Sequence, residues 1–176
     1  ANPQPYNSFG NGSAMRVSPC GWLPDLAQVL KEASESAECT HNHPEGIKGA
    51  QCIAHCIALA LGGQSKEQIR EMVTQEYGYD LSMTCTGLRQ TYGFDETCQG
   101  TVPQAIVCFL ESNDFEEAIR LAVSIGGDSD TLAAITGSIA EAYYGIPADI
   151  EAQAMRYLTE EFQEVVREFR EIKGNR

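Results

Sequence analysis

Asp128-Ser129-Asp130-Thr131, which follows the pair Gly126-Gly127, places two carboxylates and two hydroxyls in four residues. Two carboxylates two positions apart on a turn can point the same way. Together with the Thr131 hydroxyl they offer hard oxygen ligands for Mg²⁺, Mn²⁺ or Ca²⁺. The same residues also suit a plain acidic N-cap, because a helix-like run over 132–144 begins at once. Free N–H groups and the helix dipole favour oxygen and negative charge at such a start.

A second stretch, Ser8-Phe-Gly-Asn-Gly-Ser13, is glycine-rich and is followed by Arg16. Glycines let a backbone approach a ligand closely, and successive N–H groups can form an anion-binding concavity. Arg16 can pair with a phosphate or carboxylate in fork geometry. No strand precedes the loop, so it carries neither a Walker nor a dinucleotide fingerprint. A third stretch is Thr40-His41-Asn42-His43-Pro44, where Pro44 biases His43 away from helix. Its histidines suit a metal, a phosphate or a ribose hydroxyl, or a structural hydrogen bond. Cys52, His55 and Cys56 lie within one helical turn but lack a fourth ligand at sensible spacing, so zinc is not expected.

The elements that must position these residues read as helices. Leu23, Leu26, Val29, Leu30 and Ala33 share a face over 23–37. The run 46–61 is apolar nearly all round and belongs at the centre of the domain. Ser65-x-x-Gln68 caps a helix running to about Tyr77, and Asn113-Asp114 caps another over 115–125 that ends at the glycine pair. A helix opens at Thr101-Val-Pro103, and a last one spans 150 to about 172. The first twenty residues show no helical periodicity, and 81–99 reads as a long loop of the kind that is often functional. The fold class is all-α, a single compact multi-helix domain over 1–176.

Size and composition agree with that picture. A chain of 176 residues buries roughly 70% of its unfolded surface. A net charge of −13 argues against a general nucleic-acid binder or an anionic-membrane binder. No run of 18 apolar residues predicts a membrane span. Seven cysteines without a C-x-x-C pair read as reduced, mostly buried thiols, and a cytoplasmic setting is expected.

Four segments together resemble one family. The stretch Gly126 to Pro147 looks like the C-terminal metal motif of the ADP-ribosylglycohydrolases, and Gly10-Asn-Gly-Ser-Ala-Met-Arg16 resembles their glycine-asparagine loop. Thr40-His41 with Gly49-Ala50 resembles their histidine segment, and Cys98-Gln-Gly-Thr-Val-Pro103 the turn before the next helix. The resemblance implies metal-dependent hydrolysis of the glycosidic bond between ADP-ribose and a protein side chain or other acceptor. It implies two divalent cations, Mg²⁺ or Mn²⁺, with Asp128, Asp130 and Thr131 as metal ligands. It also implies substrate contacts from Asn11, Gly12, Ser13 and His41, with Arg16 as an alternative brace for the loop. The family's Gly-Asp/Glu and Thr-Asp-Asp-Thr motifs, and the acid/base glutamate among them, do not occur in this sequence, so no catalytic residue is assigned. The chain begins with Ala and resembles the C-terminal two-thirds of the family. Association with an N-terminal segment or a second copy is therefore expected, and a non-catalytic ADP-ribose-binding or structural member is the alternative.

Overall fold

The computed structural model describes residues 4–174. Ten helices follow one another: α1 (Gly12–Arg16), α2 (Leu26–Glu38), α3 (Pro44–Leu61), α4 (Lys66–Tyr77), α5 (Cys85–Thr91), α6 (Cys98–Glu111), α7 (Phe115–Ser124), α8 (Ser129–Tyr144), α9 (Ala148–Met155) and α10 (Glu160–Gly174). A 3₁₀ turn, Ser18–Trp22, links α1 to α2. Among the described residues the extended pairing is one isolated antiparallel bridge, Gly10 with Thr97. The all-α expectation holds. The chain divides into two compact units, Ala1–Tyr144 and Gly145–Arg176.

The first unit is built around α3, whose Ala50, Cys52, Ile53, Ala54, Cys56 and Ile57 are fully buried. A helix buried on most of its surface needs neighbours on most sides, and α1, α2, α4, α6 and α8 all pack against it. Local side chains start the surrounding helices. Ser65 and Gln68 form a reciprocal capping box on α4, and Asp25, Thr84, Thr97 and Asp114 each accept a backbone N–H at the start of α2, α5, α6 and α7. All seven cysteines are free thiols. No helix among the described residues is long and apolar enough to cross a membrane.

Three local expectations need correction. The first twenty residues contain α1 and the 3₁₀ turn, too short to display a period and held by packing on α3. The stretch read as a loop over 81–99 contains α5, where Thr84 caps the start and Cys85 and Leu88 are buried. The same stretch ends inside α6, which starts at Cys98, three residues before the predicted opening, because Thr97 caps it. In the second unit the last predicted helix is two, α9 and α10. Thr159 interrupts it by accepting from Gln163 N and Phe162 N at the new start.

Candidate functional site

The glycine-rich loop is pinned to the segment before α6. Asn11 N donates to Glu96 O at 2.7 Å and Cys98 N to Phe9 O at 2.9 Å, so the loop runs as a short antiparallel partner of that segment. Gly10 and Gly12 then lie against the imidazole of His41. A β-carbon added at either would sit 3.4 Å from His41 Nε2. The absence of side chains here leaves a cleft of about 350 Å³, lined by Gly10, Asn11, Gly12, His41, Glu96 and Thr97. Gly12 and Ser13 form the first turn of α1, where backbone N–H groups have no intrahelical acceptor. The Ser13 hydroxyl faces the other way: fully buried, it donates to Gly46 O at 2.8 Å and ties α1 to α3. What Ser13 can offer a ligand is its backbone.

The two histidines divide the roles that the sequence left open. His43 caps α3, its Nδ1 accepting from Glu45 N at 3.1 Å while its ring meets Phe9 edge-on. His41 lines the cleft and is only 9% exposed. Its Nδ1 lies 2.7 Å from Thr40 Oγ1. Arg16 donates to the same Thr40 oxygen at 2.9 Å and to Ser36 O at 2.7 Å. Arg16 therefore braces the histidine segment against α2. Burial, with the Arg16 charge adding to it, holds the His41 ring below its ordinary pKa, so it is neutral at neutral pH.

The carboxylates arrive from the end of α7. Gly126 and Gly127 adopt φ of 79° and 63°, the left-handed region that glycine enters without penalty. Gly127 is also sterically required, since a β-carbon there would stand 2.5 Å from the Tyr92 ring. Asp128 is then placed so that its Oδ2 accepts from Asn11 Nδ2 at 2.7 Å. The Asn11 amide also donates to Thr101 Oγ1 at 3.0 Å, and Thr101 donates to Asp95 O at 3.0 Å. Asn11 is 7% exposed, so its amide holds Asp128 rather than reaching into open solvent. Asp130 is exposed. Its carboxyl, which adjoins that of Asp128, is kept below the usual range with the help of backbone N–H groups at the start of α8. The Thr131 hydroxyl is buried and, among the described residues, donates to the Met15 thioether, a poor acceptor, at 3.6 Å.

Two adjoining carboxylates and a hydroxyl without a strong partner form an oxygen-only donor set that fits a hard cation. No group of three or more His, Cys, Asp or Glu suited to a metal occurs among the described residues. His55 pairs with Tyr77 Oη at 3.2 Å. Thus Asn11, Gly12 and His41 line the cleft, Asn11 ties it to Asp128, Thr131 reaches α1 through Met15, and the Ser13 side chain faces α3 instead. Sequence reasoning missed Tyr92, Asp95 and Thr101. Tyr92 packs on Gly127, and its phenol is pushed up by burial with Asp95 and Asp128 nearby. The available signal was the length and polarity of the stretch that carries it.

Comparison with known proteins gives a consistent picture. The family described as ADP-ribosylglycohydrolase matches residues 1–175. ADP-ribosylhydrolase ARH3 of Homo sapiens is 29% identical over 185 residues, covering 79% of this chain and 51% of that protein. ADP-ribosylarginine hydrolase Tri1 of Pseudomonas putida is 29% identical over 152 residues, covering 80% and 40%. A solved structure titled "ADP-ribosylglycohydrolase-related protein complex" superposes with a TM-score of 0.67 at 29% identity, covering 92% of this chain and 59% of that one. The chain spans about half the length of the curated relatives it matches.

Proposed function

Because the chain belongs to the ADP-ribosylglycohydrolase family, we propose that it serves hydrolysis of the glycosidic bond joining ADP-ribose to a protein side chain or other acceptor. Asp128, Asp130 and the Thr131 hydroxyl would hold Mg²⁺ or Mn²⁺. The observation that carries the reading is the 2.7 Å bond from Asn11 Nδ2 to Asp128 Oδ2, which joins the glycine loop and its cleft to the carboxylate pair. A bound cation supplies positive charge that offsets charge developing at the ribose.

The chain's own residues do the rest. Backbone N–H groups of Gly12 and Ser13 receive the diphosphate, which needs no basic surface and so agrees with a net charge of −13. His41, neutral and at the cleft wall, contacts the ligand without adding charge. Asn11 orients Asp128. Water and substrate would complete the coordination of the cation, because Mg²⁺ takes about six oxygens.

A second reading, an ADP-ribose-binding member without catalysis, is favoured by one observation. Among the described residues no group of three or more His, Cys, Asp or Glu is arranged to hold a metal, so Asp128 and Asp130 stand without a third such ligand. Incubation with ADP-ribosylated arginine and serine peptides, following release of free ADP-ribose with and without Mg²⁺, separates the two. Mg²⁺-dependent release supports hydrolysis. Binding without release supports the second reading.

A further inference from the structure

Arg16, Thr40 and His41 form a chain of hydrogen bonds that ends at the cleft. Arg16 Nη2 stands 2.9 Å from Thr40 Oγ1, and Thr40 Oγ1 stands 2.7 Å from His41 Nδ1. A guanidinium has donors and no acceptor, so at Thr40 it can only give a proton. Arg16 is itself fixed, because the same nitrogen donates to Ser36 O at 2.7 Å. The Thr40 oxygen thus accepts from Arg16 and retains one hydroxyl proton. The closest acceptor for that proton is His41 Nδ1. The alternative at Thr40, the Cys39 sulfur, is 4.0 Å away and is a weak partner.

In a neutral imidazole one nitrogen accepts and the other carries the proton. If Nδ1 accepts from Thr40, the proton is on Nε2. Nε2 is the atom that lies against Gly10 and Gly12, at the wall of the cleft. We infer that Arg16 and Thr40 are positioning residues that fix the His41 tautomer, so that Nε2–H is presented to the cleft as a donor for an acceptor oxygen of the ligand. A donor held in this way is ready before the ligand arrives, and no proton has to move when it binds. The ligand half of this inference rests on the proposed ADP-ribose reading. The tautomer half does not.

The test is ¹⁵N NMR of the histidine side chains in the whole chain at about pH 7.5, with His41 assigned by the signals lost in His41→Gln. Wild type is expected to show Nδ1 as the unprotonated acceptor and Nε2 as the protonated nitrogen. Thr40→Val, nearly isosteric at a half-buried position, is expected to lose that preference, and Thr40→Ser to restore it. Protonation on Nδ1 in wild type, or a preference unchanged in Thr40→Val, overturns the inference. For the ligand half, ADP-ribose affinity is expected to fall about fivefold in Thr40→Val, the worth of one ordinary hydrogen bond, and to recover in Thr40→Ser. Equal affinity in Thr40→Val and wild type overturns the ligand half while the ADP-ribose reading stands. No binding of ADP-ribose to wild type overturns both that reading and the ligand half, and the NMR result alone then decides the tautomer.

Discussion

Asn11 Nδ2 donates to Asp128 Oδ2 at 2.7 Å across 117 residues of sequence. One amide thereby links the loop expected to receive the anionic part of a ligand to the carboxylate expected to hold a cation. Removing it leaves Asp128 without its tether and Thr101 without its donor. A hydrogen bond to a charged group is worth about 1.5–3 kcal/mol. Asn11→Ala is therefore expected to weaken Mg²⁺-dependent ADP-ribose binding by about tenfold or more, and Asn11→Asp to weaken it further by setting a like charge against Asp128. Calorimetry on both variants checks this. Affinity equal to wild type in Asn11→Ala would show that the bond does not serve the site.

Gly12 and Ser13 are adjacent, yet their substitutions should fail differently. At Gly12 an added methyl group makes ordinary contact with His41 Nε2 at 3.4 Å and intrudes on the cleft. Gly12→Ala should keep its melting temperature and lose ligand affinity. Ser13 is fully buried, with its hydroxyl on Gly46 O. Ser13→Ala should cost about 1–2 kcal/mol of stability, and Ser13→Arg should not fold. Chemical denaturation and circular dichroism distinguish the outcomes.

Gly46 sets the distance between α3 and the two loops that meet it. A β-carbon there would lie 2.8 Å from both His41 O and Ser8 O. These are backbone atoms and cannot swing aside. Gly46→Ala should destabilise the protein by about 1–3 kcal/mol and displace His41 with its segment. A urea midpoint unchanged from wild type would contradict this account of the close approach.

The pH dependence of stability should carry a histidine signature. Burial holds His41 below its ordinary pKa, with Arg16 adding, and burial does the same to His55 against the opposing charge of Glu76. The unfolded chain therefore binds more protons than the native one once the pH falls toward about 6.5. The stabilisation is complete above that value and is lost as the pH falls through it toward the lower native values. Urea midpoints should drop between about pH 7.5 and 5.5, and less steeply in His55→Gln. A midpoint flat over that range would refute the shared direction of the two shifts.

Much of this arrangement was legible in the chain itself. Gly126-Gly127 announces positive φ, and oxygen-bearing residues before an apolar run announce a helix start, so the placement of Asp128, Asp130 and Thr131 at α8 was readable. Pro44 takes His43 out of helical backbone as expected, but α3 starts at Pro44 itself, two residues before the apolar run 46–61, with His43 as its cap. The facing of Ser13 was not readable, because α1 has only five residues and reveals no buried side. Nor was the set Tyr92, Asp95 and Thr101. Their partners Asn11, Gly127 and Asp128 are brought to them by the packing of α3, α6 and α8, and no local pattern records such a meeting.

The most direct measurement is calorimetric titration of ADP-ribose into the chain with and without millimolar Mg²⁺, with Asp130→Ala as control. Asp130 is exposed, so its removal should change stability by no more than about 0.5 kcal/mol. The account predicts binding that requires Mg²⁺ and is lost in Asp130→Ala while the helices stay folded. Binding that is indifferent to Mg²⁺, or that survives intact in Asp130→Ala, would contradict the assignment of Asp128, Asp130 and Thr131 as the cation's ligands.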